Sequence, residues 1–174
     1  MKATGRQQSI NKSSAGGAFD LEKFLPYRLS LLSNTVSQGI AQIYQENHHL
    51  SIPEWRVMAV LGRYPGLTAS EVCERTVMDK VTVSRAVKIL LDRKLVQRLI
   101  HTEDRRKRPL QVSNPEGRRL LEEIIPFAWD YQAELLRALE PDEWRLLDGL
   151  IAKLFEASSK LNQRCSGQKK DRES

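Results

Sequence analysis

The sequence predicts a mainly α fold with one small β-hairpin. Two Ser/Thr-x-x-Glu patterns, Ser51–Glu54 and Thr68–Glu71, have the form of capping boxes and mark helix starts. A third helix, Asp79 to Lys94, has apolar residues on one side only, and the segments Val96–His101 and Arg108–Val112 after it are typical of two strands joined by a charged loop. The second and third of these helices, followed by a hairpin with a basic tip, make a winged helix-turn-helix.

A long helix is predicted before this lobe, from Leu21 to about Glu46. Its apolar residues recur at steps of three or four and share one face; they are Leu25, Leu29, Leu32, Val36, Ile40 and Ile43. Residues 1–20 are rich in Gly and Ser and are expected to form a disordered tail. They lack the apolar segment of a secretory signal, and no run of about eighteen apolar residues occurs, so we expect a cytoplasmic protein.

Two further helices are predicted after the hairpin. We expect Asn114 to cap the first, with Pro115 at its first position, and this helix to run to about Leu139 with a kink at Pro126. Pro141 opens the last helix. The apolar side of the last helix consists of Trp144, Leu147, Leu150, Ile151, Leu154 and Phe155. The folded part is thus expected over residues 21–161, with a polar tail over 162–174. The stripes on the first and last helices exceed what a small winged lobe covers, and we expect them to form a dimer interface.

The net charge of +6 is concentrated in one segment. Between Asp79 and Arg108 there are ten basic and four acidic side chains, whereas the rest of the chain has 18 of each. Such an excess favours a face that binds a polyanion. Charge alone leaves open a solvated basic surface without a partner.

The helix from Asp79 to Lys94 has the properties of a DNA recognition helix. An apolar stripe would bury one side, and the other is small and basic, as the major groove requires. The residues expected at DNA on this helix are Lys80, Val81, Thr82, Ser84, Arg85 and Lys88. At the hairpin tip, Asp104 could hold the Arg106 guanidinium for insertion into the minor groove, with Arg105 beside it. The alternatives are a solvated helix surface and an exposed ion pair.

The segment from Thr68 to Gly117 resembles the MarR family of bacterial regulators. The resemblance is carried by Leu67-Thr68-Ala69-Ser70-Glu71-Val72, Met78-Asp79-Lys80-Val81-Thr82-Val83-Ser84-Arg85, Leu95-Val96-Gln97-Arg98, Asp104-Arg105-Arg106 and Asn114-Pro115-Glu116-Gly117. It implies a homodimer held by the first and last helices, two recognition helices that read a pseudo-palindrome, and a small-molecule site between the dimer helices and the DNA-binding lobe, residues 51–113. The family usually has Gly where Lys94 stands, and a left-handed helix end there would cost about 1 kcal/mol.

Large aromatic residues lie on helices that flank the predicted junction between the lobe and the dimer helices. Trp55, Phe127, Trp129 and Tyr131 could line a ligand pocket, with Tyr27 and Arg28 near an anionic group of the ligand. Packing in the core is the alternative role for the aromatics. Members of the family with similar features respond to aromatic acids or their coenzyme A thioesters, and the resemblance implies such an effector here.

Several classes of function are disfavoured by what the chain lacks. It has no nucleophile–base pair, no phosphate-binding glycine loop and no paired carboxylates in an apolar setting, so we expect neither an enzyme nor a cofactor. Its two cysteines and three histidines show no zinc spacing, so we expect no metal site. We therefore predict a transcriptional repressor released from an operator by a small aromatic ligand. An architectural or non-specific nucleic-acid binder without ligand response, an activator and a winged-helix module for protein–protein contact remain the alternatives.

Overall fold

Six α-helices and a two-stranded sheet make up the part of the chain that the computed structural model describes, residues 19–99 and 108–170, with side chains described as far as residue 163. After a short 3-10 helix, Leu21–Lys23, the elements in chain order are α1 (Leu25–His48), α2 (Ile52–Arg63), α3 (Ala69–Thr76), α4 (Lys80–Asp92), β1 (Val96–Arg98), β2 (Leu110–Val112), α5 (Glu116–Leu136) and α6 (Pro141–Lys170). The predicted mainly α fold with a small hairpin is confirmed.

Both predicted capping boxes are present. Before α2, the Ser51 amide donates to Glu54 Oε2 at 3.1 Å and the Glu54 amide donates to Ser51 Oγ at 3.5 Å. Before α3, the corresponding distances between Thr68 and Glu71 are 2.7 and 3.3 Å. Each pair satisfies two amides that have no partner inside the helix, which explains why these helices begin where they do.

The helix predicted from Leu21 is divided into the 3-10 helix and α1. Phe24 is extended between them, and Pro26 lies in the first turn of α1, where its missing N–H removes no helical hydrogen bond. The Asp20 side chain caps the 3-10 helix by accepting from the Lys23 amide at 3.3 Å. Of the tail predicted over residues 1–20, all but Phe19 and Asp20 lies outside the described residues. At the other end of the chain, α6 continues to Lys170, past the predicted tail boundary at 162.

The expected cap of α5 by Asn114 is wrong. The N-cap is Pro115 and makes no side-chain cap hydrogen bond, whereas the Ser113 hydroxyl accepts from the Gly117 amide at 3.0 Å. That hydroxyl also donates to the Lys94 carbonyl at 2.6 Å, so one buried side chain joins the end of the α4 segment to the start of α5. A Cβ at Gly117 would lie 2.7 Å from Val112 Cγ1 and 2.9 Å from Ser113 Oγ, which only glycine avoids.

The α4 helix ends in a left-handed turn at Lys94, whose φ is +58°. The Lys94 amide donates to the Leu91 carbonyl at 3.0 Å and the Leu95 amide to the Leu90 carbonyl at 2.9 Å. These two bonds form a Schellman motif, in which glycine is the usual residue at the left-handed position. Lys94 therefore takes this left-handed position at the steric cost of its Cβ.

The core lies in the lobe formed by α2, α3, α4 and the hairpin. The C-terminal part of α1 and the N-terminal part of α5 close this core, through residues such as Tyr44 and Ile124, each 1% exposed. By contrast, the first half of α1 contains no buried residue, and neither does α6 among its described side chains. In the described part of the chain, no helix is long and apolar enough to span a membrane.

Candidate nucleic-acid interface and cavity

The α4 helix has one dry face and one open face. Its buried residues are Val83, Ala86, Val87 and Leu90, of which none exceeds 5% exposure. The residues predicted at DNA lie away from this stripe, and Lys80, Val81, Ser84, Arg85 and Lys88 are all exposed. The periodicity of the sequence therefore placed both faces correctly, because buried positions at i, i+3, i+4 and i+7 leave the opposite side to solvent.

Thr82 differs from the other predicted contacts. It is half-buried, and its hydroxyl donates to Asp79 Oδ2 at 2.5 Å, while Asp79 Oδ1 accepts from the amides of Val81 and Thr82, both at 2.9 Å. The Thr82 hydrogen bond is the main cause that lowers the pKa of the Asp79 carboxyl below its usual value. Thr82 thus first serves to hold the N-cap carboxylate, which fixes the end of α4 nearest to the turn from α3.

The open face of α4 carries two basic side chains, Arg85 and Lys88. For Arg85 and Lys88, the part of the chain that the structure describes offers no hydrogen-bonding or ion-pair partner. Val81 adds an apolar surface that is 57% exposed. This combination suits a major groove, where guanidinium and ammonium groups meet guanine or phosphate and an apolar side chain meets a thymine methyl group.

The hairpin is a wing attached next to α4. Its strands are antiparallel, with Val96 opposite Val112 and Arg98 opposite Leu110, and Leu110 also bridges to Leu67 before α3. The predicted contacts Asp104, Arg105 and Arg106 fall in residues 100–107, outside the described part, and stay predictions.

A cavity of about 820 Å³ lies between this lobe and the long helices. Its wall comprises Val36 and Ile40 of α1, residues of α2 and β2, and one side of α5 from Arg118 to Leu135. Three of the predicted ligand residues, Trp55, Trp129 and Tyr131, line it. The Trp55 ring stacks on Tyr44 with 5.4 Å between ring centroids, which fixes one aromatic wall of the cavity.

The other three predicted ligand residues are not part of this wall. Phe127 of α5 does not line the cavity and is 53% exposed. Arg28 and its neighbour Tyr27 lie about 12 Å before Val36 along α1, at 1.5 Å per residue. These positions could not be ranked from composition, because the contact of α1 with the cavity depends on where α5 crosses it.

The cationic groups at the cavity are Arg63 and Arg118, which the sequence analysis did not single out. Arg118, Leu121, Glu122, Ile125, Trp129 and Gln132 recur at steps of three or four, so the periodicity of α5 contained a signal for this face. Arg63 also lies over the Tyr64 ring at 5.0 Å from its centroid, and Arg75 lies at 4.0 Å from the same centroid. The cavity therefore combines aromatic walls with two arginines and one carboxylate, that of Glu122. Across the described residues, no group of His, Cys, Asp and Glu side chains could hold a metal ion.

Comparison with known proteins agrees with this arrangement. A family model described as MarR family matches residues 48–107, which contain α2, α3, α4 and β1. The transcriptional regulator HosA of Escherichia coli O111:H- is 27% identical over 126 residues, which are 72% of this chain and 93% of HosA.

Solved structures of similar fold extend the likeness to the long helices. A MarR family transcriptional regulator from Silicibacter pomeroyi superposes with a TM-score of 0.71 at 29% identity, covering 84% of this chain and 97% of the other. BpsR of Bordetella bronchiseptica, whose DNA binding is regulated by 6-hydroxynicotinic acid, has a TM-score of 0.69 at 24% identity, covering 79% and 97%. The likeness to BpsR concerns the fold.

Proposed function

We propose that this chain, a member of the MarR family of transcriptional regulators, is a homodimeric repressor that binds a pseudo-palindromic operator. The repressor leaves the operator when a small aromatic acid, or its coenzyme A thioester, binds. Members of this family bind DNA and are not enzymes. Specific DNA binding, dimerisation and the response to an effector are each supported by separate observations.

The open face of α4 carries the proposal. Arg85 and Lys88 are exposed, lie one turn apart and have no partner among the described side chains, while Val83 and Leu90 on the opposite face are fully buried. Because its buried side packs in the core, α4 presents its basic side chains from a fixed backbone. Such a surface fits the major groove, which admits one α-helix and distinguishes all four base pairs.

Dimerisation is supported by the apolar surface of α1 and α6. Leu29 and Leu32 on α1 are 44% and 59% exposed, and Leu150 and Phe155 on α6 are 45% and 63% exposed. Helices whose apolar sides stay this exposed among the described residues are typical of an interface between two copies. In the proposed dimer, α1 and α6 of both copies form a common platform and the two α4 helices face the same side of the DNA.

An aromatic acid fits the chemistry of the cavity. Trp55 and Trp129 offer flat apolar surfaces, and the guanidinium groups of Arg63 and Arg118 suit a carboxylate or a phosphate. The cavity touches both α1, from the proposed platform, and α2, from the lobe. A ligand that prefers one arrangement of these two parts shifts the spacing of the α4 helices, and only such a difference in affinity changes DNA binding.

The test begins with selection of bound duplexes from a random-sequence library, followed by DNase I footprinting. A repressor of the proposed kind protects one pseudo-palindrome, and 6-hydroxynicotinic acid, benzoic acid and benzoyl-coenzyme A are then tested for release. Selection that enriches no sequence would identify a non-specific or architectural binder and contradict specific reading. Enrichment without release by any of the three probes would leave DNA reading intact and contradict the proposed effector class.

A further inference from the structure

The side chain of Arg93 joins the end of α4 to the end of α1. Arg93 is the C-cap residue of α4, and its two terminal nitrogens donate to main-chain carbonyls of α1: Nη1 to His49 O at 2.9 Å and Nη2 to His48 O at 2.8 Å. These acceptors lie 44 and 45 residues away in the chain. The helix with the open basic face is thus tied directly to a long helix of the proposed platform.

The chemistry of this contact suits arginine in particular. The carbonyls at the end of α1 have no partner within the helix and carry the negative end of its dipole. His49, with φ +52°, turns the chain out of the helix, and the planar guanidinium donates to both of the last two carbonyls at once. A lysine ammonium would keep the charge but lacks the planar pair of donors.

Arg93 also contacts the start of α2. Its Nη1 lies 3.9 Å from Glu54 Oε2, and the Glu54 side chain is 8% exposed. The same carboxylate oxygen accepts from the Ser51 amide in the capping box of α2. One guanidinium of α4 therefore contacts both the end of α1 and the start of α2. It also places a positive charge beside the buried Glu54 carboxylate.

We propose that Arg93 is a positioning residue for DNA recognition, which sets the orientation of α4 relative to α1 without touching DNA. This inference rests on the proposed function, because the two α4 helices of a dimer must match a fixed spacing of operator half-sites. Loss of the double hydrogen bond lets α4 turn relative to the platform. Operator affinity then falls, whereas attraction to DNA of any sequence, which depends on the basic side chains themselves, is retained.

Arg93→Lys is the variant that isolates the double hydrogen bond. We expect about a tenfold loss of operator affinity, the size of one charge-assisted hydrogen bond, and unchanged affinity for a random duplex. Arg137→Lys, on an exposed arginine of the loop after α5, controls for the exchange of cation.

A second readout does not require DNA. Amide hydrogen exchange at His49 and Leu50, whose amides donate to Gln45 and Tyr44 carbonyls, should accelerate in Arg93→Lys and not in Arg137→Lys. Unchanged exchange would overturn the positioning role whether or not the protein binds DNA. Equal losses on operator and random duplex, or an equal operator loss in Arg137→Lys, would also overturn it. If the wild-type protein selects no operator, but exchange at His49 and Leu50 is faster in Arg93→Lys as expected, only the proposed function is contradicted.

Discussion

The Tyr131 ring occupies the space beside Gly39 that a Cβ would need. A Cβ built at Gly39 would lie 2.9 Å from Tyr131 Cζ, and the Tyr131 hydroxyl is nearer still. Gly39 belongs to α1 and Tyr131 to α5, and Tyr131 also lines the cavity. The close approach of the two long helices at the cavity therefore depends on a glycine in the middle of a helix, where glycine otherwise destabilises.

This contact predicts a stability effect that depends on the presence of the ring. In a Tyr131→Ala background, Gly39→Ala should raise the free energy of unfolding by about 0.5–1 kcal/mol, because alanine favours the helix and the three atoms nearest to its methyl group, all of the Tyr131 ring and hydroxyl, are removed. In the wild-type background the same change should give less stabilisation or a loss. Urea denaturation of the four proteins measures the difference, and equal increments in both backgrounds would mean that the two residues do not oppose each other.

Lys94→Gly should stabilise the protein by about 1 kcal/mol. The backbone at Lys94 is left-handed, with φ +58°, and a glycine adopts this conformation without the steric cost of a Cβ. The control is Lys88→Gly in the middle of α4, which should destabilise by about 1 kcal/mol because the backbone there is helical. Denaturation midpoints that move in the same direction for both variants would contradict a left-handed end at Lys94.

Arg85→Ala should cost about 1–3 kcal/mol at the operator if Arg85 pairs with guanine, and it should relax the preference at one base position. Lys88→Ala should weaken binding to all sequences alike and reduce the dependence on salt, since an ammonium at a phosphate releases counterions whatever the base. Gel-shift titrations on operator and random duplex at several salt concentrations separate the two. An Arg85→Ala loss of equal size on both duplexes would assign Arg85 to phosphate only.

Arg106→Ala should weaken operators whose flanks are rich in A·T more than those with G·C flanks. The narrow minor groove of A·T-rich DNA attracts arginine, and Arg106 belongs to the segment between the two strands of the wing. Asp104→Ala should have a smaller effect in the same direction. Matched duplexes that differ only in their flanks provide the measurement, and a loss independent of the flank would reduce the wing to an electrostatic tether.

Leu150→Glu combined with Leu154→Glu should convert the proposed dimer into monomers. The two leucines are 45% and 42% exposed and lie on the apolar side of α6, so two carboxylates there would have to lose water in an interface. Ala152→Glu, exposed on another side of the same helix, is the control and should stay dimeric. Sedimentation velocity decides between them, and deletion of residues 142–174 should agree with the double variant. A double variant that sediments as a dimer would remove α6 from the interface.

The sequence alone determined the features that depend on near neighbours in the chain. A capping box needs only a Ser or Thr and a Glu three residues later, so the starts of α2 and α3 followed directly from Ser51–Glu54 and Thr68–Glu71. The two faces of α4 followed in the same way from residues three and four apart. For this reason the buried and exposed positions of α4 followed from the sequence, apart from the half-buried, capping role of Thr82.

Only the tertiary structure decided which distant segments meet. The Ser113 hydroxyl, rather than the Asn114 side chain, accepts from the Gly117 amide, because the same hydroxyl donates to the Lys94 carbonyl, 19 residues away in the chain. The Arg93 guanidinium donates to carbonyls at the end of α1 that lie even farther away in the chain. Trp129 lines the cavity and Phe127 does not, because α5 packs with one particular rotation about its axis. Such contacts depend on how helices pack against each other, and helix packing combines side chains from segments whose spacing in the sequence carries no periodic signal.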